Sequence, residues 1–163
     1  MRVINFMNKS IFFLSLFLPL ISACGFHLKG TKIENNLSNI ALQCTEENEQ
    51  CRAFQELCKS QNIKITDNAE YKIVLADFAS SARETANGGN SGNSREVEIS
   101  DSYKVRVIKQ GDVIAERYIS NRENLQYKSQ NFLGNNRESE ITHRNLAREN
   151  ANSALRFVNS VVK

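Results

Sequence analysis

The sequence predicts an α+β fold: a two-layer sandwich with two helices on one face of a mixed sheet of about four strands, in the order β-α-β-β-β-α. Three patterns predict it. Apolar residues recur every three or four positions in two separate stretches, one before residue 60 and one near the C-terminus. Between them lie long runs of alternating or continuous β-branched and aromatic residues. Isolated helices of this length are marginal in water, so each apolar stripe needs a surface to cover, and the sheet supplies it.

The elements follow in order. Residues 37–44 (LSNIALQC) alternate through Ile40 and Leu42 and read as a short strand. From about Glu46 the period changes: Cys51, Phe54, Leu57 and Cys58 mark one face of a helix of three to four turns, with Glu46, Glu47 and Glu49 at its positive end. YKIVLADF, from Tyr71, is apolar on both alternating sets, which marks a central strand, and it continues as the more polar ASSARETA. Residues 87–94 (NGGNSGNS) have three glycines and no apolar side chain, and read as a loop.

EVEISDSYKVRVI, from Glu96, alternates over a long span. The turn KQGD follows, with Gly111 placed for positive φ, and DVIAERYIS returns as the antiparallel partner, with pairing able to extend through Tyr127. After the loop SQNFLGNN, Ala147, Ala151, Ala154, Leu155, Val158 and Val162 form the stripe of a long helix, reinforced by Ile141 and Leu146 and capped by Asn135 or Asn136. Arg144, Arg148, Glu149 and Asn152 fall on its polar face.

Ahead of this domain stands an address. Arg2 and Lys9 precede an eleven-residue apolar run ending at Ile21, too short to span a hydrocarbon layer of about 30 Å; residues 1–23 read as a secretory signal peptide, initiated at Met1 or Met7. Ile21, Ser22, Ala23 and Cys24 resemble the lipobox of bacterial lipoproteins. That resemblance implies diacylglycerol on the Cys24 thiol, cleavage before it, and an N-acyl chain on the freed amine. Acyl chains gain about 0.8 kcal/mol per buried methylene and anchor a small protein without a spanning helix. In lipoproteins of enteric type, Gly25 in place of Asp would imply sorting to the outer membrane. Residues 24–36 then form a lipidated extended segment, and 37–163 a single α+β domain.

Removing Arg2 and Lys9 from the 21 basic residues leaves 19 against 18 acidic, so nothing global points to nucleic acid. With Cys24 assigned to lipid, Cys44, Cys51 and Cys58 remain. Cys51 and Cys58 are about 10 Å apart along a helix, too far for a disulfide. Cys44 can reach either; the favoured pair is Cys44 with Cys51, leaving Cys58 as a buried apolar residue. No cysteine spacing matches a zinc site. His27 and His143 sit in no nucleophile or metal-ligand spacing, and NGGNSGNS lacks the lysine and the strand-to-helix setting of a phosphate loop, so the expectation is a protein that is not an enzyme and needs no cofactor or metal.

CGFHLKG, starting at Cys24, resembles the opening of the LptE family, lipoproteins that work with the LptD β-barrel in lipopolysaccharide assembly at the outer membrane. RESEITHRNLARENANSALRFV near the C-terminus and the order of elements are also similar to that family. The resemblance implies a plug inside a β-barrel partner that binds lipopolysaccharide and assists barrel assembly. The contrasting reading is a periplasm-facing lipoprotein adaptor that binds peptidoglycan or another soluble partner. Topology adds an expectation of its own: the loops at 87–94 and 129–136 lie at one end of the sheet, flanked by Arg83, Arg95, Lys128 and Arg137. If these converge they suit lipid A phosphates, which arginine holds with paired, charge-assisted hydrogen bonds. If they are scattered and paired with Glu84, Glu96 or Glu138, they contribute little.

Overall fold

A computed structural model describes residues 37–87, 94–128 and 132–162, with side chains except those of residues 85–87, 94, 128 and 132. The expected signal peptide (residues 1–23), Cys24, the segment 24–36 and the interior of the 87–94 loop lie outside the described residues. The described residues fall within one compact unit, Ile33–Lys163.

Chain order is β1 (Asn39–Cys44), α1 (Glu49–Ser60), β2 (Lys64–Ile65), β3 (Tyr71–Asn87), β4 (Ser94–Lys109), β5 (Asp112–Lys128) and α2 (Phe132–Val161). The sheet has five strands in the order β2-β1-β3-β4-β5, with β1 parallel to both β2 and β3, and β3, β4 and β5 antiparallel. The α+β sandwich is therefore as the sequence predicts, with one addition. β2 pairs only Lys64 and Ile65 with Asn39 and Ile40, and two residues are too few to show an alternation.

Local chemistry sets the ends of α1. Asn48, in an extended conformation, accepts the amide N–H of Cys51 at 3.0 Å. The helix thus starts three residues later than Glu46, and Glu46 and Glu47 precede it. At its C-terminus Asn62 takes φ 59°, the amide of Ile63 reaches the carbonyl of Cys58 and that of Asn62 reaches Lys59. Ile63 then folds back into the core. Between β4 and β5, Gln110 and Gly111 have φ of 53° and 97° and link the paired Lys109 and Asp112, the two-residue turn whose twist matches that of the flanking strands.

α2 begins at Phe132, so Asn135 and Asn136 lie inside it and not at its N-cap position. Adding a residue to an existing helix costs far less than nucleating one, and the Arg137-Glu138-Ser139-Glu140 turn carries the FLGNN stretch, with its Gly and two Asn, along with it. Ile141 is also corrected: it is 46% exposed, and the stripe runs instead through Thr142, Leu146, Ala147 and Asn150.

The main core joins Phe54 and Cys58 of α1, Ile73 and Leu75 of β3, Tyr103, Val105 and Val107 of β4, and Ala151, Ala154, Leu155 and Val158 of α2. Ile99, Leu125 and Leu146 form a separate small cluster, with Val97 and Tyr127 against it. Cys44 and Cys51 form a disulfide, with Cα atoms 6.2 Å apart, that ties the end of β1 to the first turn of α1. Cys58 is a free thiol in the core, and burial pushes its pKa up to about 12.

Leu155→Ala is expected to cost about 2–5 kcal/mol, whereas Ile141→Ala should change stability by less than about 0.5 kcal/mol, both read from urea unfolding midpoints. In the native chain at pH 8, iodoacetamide should leave Cys58 unmodified, because its thiolate is scarce and shielded; urea should release the reaction, as mass spectrometry would show.

Candidate functional site

Two places stand out. The first is the far end of the long strands. β3 has 17 residues and β4 has 16, so they span about 55 Å, while the 12-residue α1 covers about 18 Å of that length. Beyond α1, among the described residues, only the N-terminal half of α2 lies on the sheet. Leu146 packs on Ile99 and Leu125, while Leu155 and Val158 reach the main core, so α2 enters at the far end and runs back.

The register locates each predicted basic residue. Arg95 pairs with Asn87 and with Tyr127, and Lys128 with Ser94, which puts Arg95 and Lys128 on the last rungs. Arg137 is exposed on the early turns of α2, toward the same end. Arg83 pairs with Glu98, three residues from Arg95 along β4. Side chains alternate across a strand, and Val97 and Ile99 face the helix layer. Arg95 therefore shares the helix side, whereas Arg83 lies on the opposite face, which is uncovered among the described residues. The four positions share one end of the sheet but do not all converge. Arg95 also stands 3.8 Å from Glu84, with both groups well exposed, so the pair contributes little.

The uncovered face is a polar mosaic. Lys104 lies 3.1 Å from Asp77 and 3.6 Å from Glu116, and Arg106 bonds Glu116 at 2.7 Å. The hydrogen bond that Lys104 donates to Asp77 and the charge of Glu116 hold Lys104 above its ordinary pKa, and the bond from Arg106 holds Glu116 below its own. Arg122 meets Glu98 at 3.4 Å, and Ser81 shares a hydrogen bond with Ser100. Asp77, at φ 54°, sits in the bulge where β3 shifts register against β4, and this turns it toward Lys104 and Arg106.

The second place is a buried polar junction between the two apolar clusters. Asn150 is fully buried in the stripe of α2. Its amide donates to the carbonyl of Asp101 at 2.9 Å and to Gln50 Oε1 at 3.2 Å, and its own Oδ1 accepts from Asn121 at 2.8 Å. One side chain thus ties α1, β4, β5 and α2 together. Beside it, His143 Nδ1 lies 2.9 Å from Asp101 Oδ2, while Asp101 Oδ1 is buried without a partner. A cleft of about 370 Å³ opens there, walled by the start of α1, the β3 bulge at Phe78 and Ala79, Asp101 and His143. The sequence pattern missed this junction. Its signal was a polar residue on each inward period: Asp101 between Ile99 and Tyr103, and Asn150 between Leu146 and Ala154.

Among the described residues no helix is long and apolar enough to cross a membrane, and no group of three or more His, Cys, Asp or Glu is placed to hold a metal.

No family model matches the chain, and no functionally described protein matches its sequence. Solved structures do. Rare lipoprotein B from Shewanella oneidensis superposes with a TM-score of 0.65 at 21% identity, over 75% of this chain and 94% of that one. Lipoprotein B from Nitrosomonas europaea gives 0.67 at 15% identity, over 83% and 91%. A minor lipoprotein from Acinetobacter baumannii gives 0.62 at 12%, over 76% and 91%. The chain has the fold of rare lipoprotein B, and the likeness to the LptE family read from its sequence extends to that fold.

Asn150→Ala should cost about 1–3 kcal/mol in chemical unfolding, because it strands the buried Gln50 acceptor and the Asn121 donor; adding Gln50→Leu should recover part of that loss.

Proposed function

We propose that the chain is a non-enzymatic outer-membrane lipoprotein of the LptE kind, held by acyl chains on Cys24, that serves as plug and assembly partner of an LptD-like β-barrel and binds lipopolysaccharide. The observation that carries this reading is the combination of a lipobox-like cysteine opening CGFHLKG with a fold shared by rare lipoprotein B. Neither half suffices alone. The short motif is only moderately specific, and a fold hosts many functions.

Physical features support the same reading. The Cys44–Cys51 disulfide suits an oxidising compartment such as the periplasm. The uncovered face, rich in ion pairs and hydroxyls around the exposed Val113 and Tyr118, suits a wet barrel lumen. The far end of β3–β5, with Arg95, Lys128 and Arg137, is the surface we assign to lipid A phosphates or sugars. Arg83, across the sheet, adds charge at that end from the other face. Arg95 can exchange its exposed carboxylate partner for a phosphate at small cost, since an exposed pair is worth little.

The test is isolation of the native protein from membranes in detergent. A plug should elute with a large β-barrel in equal amounts and carry lipid on Cys24. A periplasm-facing adaptor would elute without one and bring peptidoglycan or a soluble partner instead. Charge reversal, Arg95→Glu with Arg137→Glu, should weaken lipopolysaccharide binding by about tenfold in a folded protein, and unchanged binding would remove this end from consideration.

A further inference from the structure

β5 forms one edge of the sheet, and among the described residues no strand pairs with its outer side. A free edge is a template for another strand, and proteins ordinarily blunt theirs with proline, lysine, a bulge or brevity. β5 does little of this. It has 17 residues with no proline or glycine, its one lysine is its last residue, and its register against β4 shifts only beside the hairpin, between Val113 and Ala115. From Ala115 to Leu125 it runs regularly.

The charges along that stretch divide by face. Glu116 and Arg122, on the uncovered face, are engaged within the sheet by Arg106 and Glu98. Arg117 and Glu123 alternate with them, on the side of Ile119, Asn121 and Leu125, and both are exposed. The Arg117 guanidinium lies 5.0 Å over the Phe157 ring, which holds it beside the edge. Among the described residues neither Arg117 nor Glu123 forms an ion pair. A cleft of about 390 Å³ lies between residues 122–123 and Asn145, Arg148 and Glu149 of α2, so the helix leaves room at the edge there.

Two unpaired charges would repel many incoming strands, but they are complementary to a second copy of themselves. In an antiparallel pair of β5 strands centred on Ser120, Arg117 stands opposite Glu123, and the two-fold symmetry makes that pair twice. The other rungs, Ala115 with Leu125, Glu116 with Asn124, Tyr118 with Arg122 and Ile119 with Asn121, oppose no like charges. Sliding one copy by a single residue sets one face against the other. Sliding it by two puts Arg117 opposite Asn121 or Leu125 and loses both pairs.

We propose that two copies of the chain pair through their β5 edges, antiparallel and centred on Ser120, joining two sheets into one with Arg117 of each copy against Glu123 of the other. The pairing consumes the edge and closes at a dimer. It is a property of the chain without a barrel and does not rest on the plug reading.

The experiment is sedimentation equilibrium of the isolated full-length chain in detergent, which should give a reversible monomer–dimer equilibrium. Arg117→Glu sets like charges opposite each other twice per dimer and should raise the dissociation constant at least about tenfold in a folded chain; adding Glu123→Arg should return it to within about threefold of the original. Two cysteine variants read the register. A short bismaleimide should join Ser120→Cys chains, about 5 Å apart on the axis, and not Asn124→Cys chains, about 27 Å apart, above the background of the unsubstituted chain. A monomer at every concentration, equal cross-linking from both positions, or a folded Arg117→Glu chain that dimerises undiminished or is not rescued by Glu123→Arg would each overturn the proposal.

Discussion

The structure depends on one constraint: strands of 16 and 17 residues present an inward face far longer than a short helix can cover. Leaving that face bare would expose Ile99, Leu125 and their neighbours to water, so a second helix must run its length. The 30-residue α2 does this, at about 45 Å. It serves two different apolar surfaces, a core shared with α1 and a small cluster beyond it. Between the two lies the place where α1 begins and a purely apolar filling would leave backbone and side-chain polar groups without water. Asn150 fills it, and its three hydrogen bonds fix the register of α2 on the sheet. Buried, fully satisfied amides act in this way: they add little net stability and penalise every alternative alignment.

Much of the fold was legible because it rests on local periodicity. Alternation in Tyr103, Val105 and Val107, the three-to-four spacing of Phe54 and Cys58, and Gly111 in its turn each follow from a few neighbouring residues. What was not legible is non-local or very short. β2 is held by two rungs against β1. The Asp77 bulge is a mismatch between two strands, invisible in either alone. The start of α2 is set by propagation into a stretch of poor helix formers. The candidate end of the sheet was legible as an end, since antiparallel strands of known order must return to it. Which face each arginine takes was not, because faces follow from register, and register places Arg83 and Arg95 on opposite sides.

The two faces of the sheet have opposite tasks, and the chemistry divides accordingly. The helix side excludes water over most of its area. The other side holds Lys104, Arg106, Asp77 and Glu116 in mutual contact, groups that gain little stability from exposed pairing but keep a flat sheet face hydrated and unattractive to itself. In the proposed role that hydrated face meets the lumen of a barrel, while acyl chains at Cys24 fix the protein to the membrane surface. The molecule then acts through shape and placement.

The most direct test of that placement is photo-crosslinking in intact cells from a photoreactive residue substituted at Tyr118, which is 54% exposed and whose hydroxyl lies 3.5 Å from the carbonyl of Asp77 at the centre of the uncovered face. The account predicts one dominant product, an adduct with a large outer-membrane β-barrel. Crosslinks to soluble periplasmic proteins alone, with no barrel adduct, would contradict it.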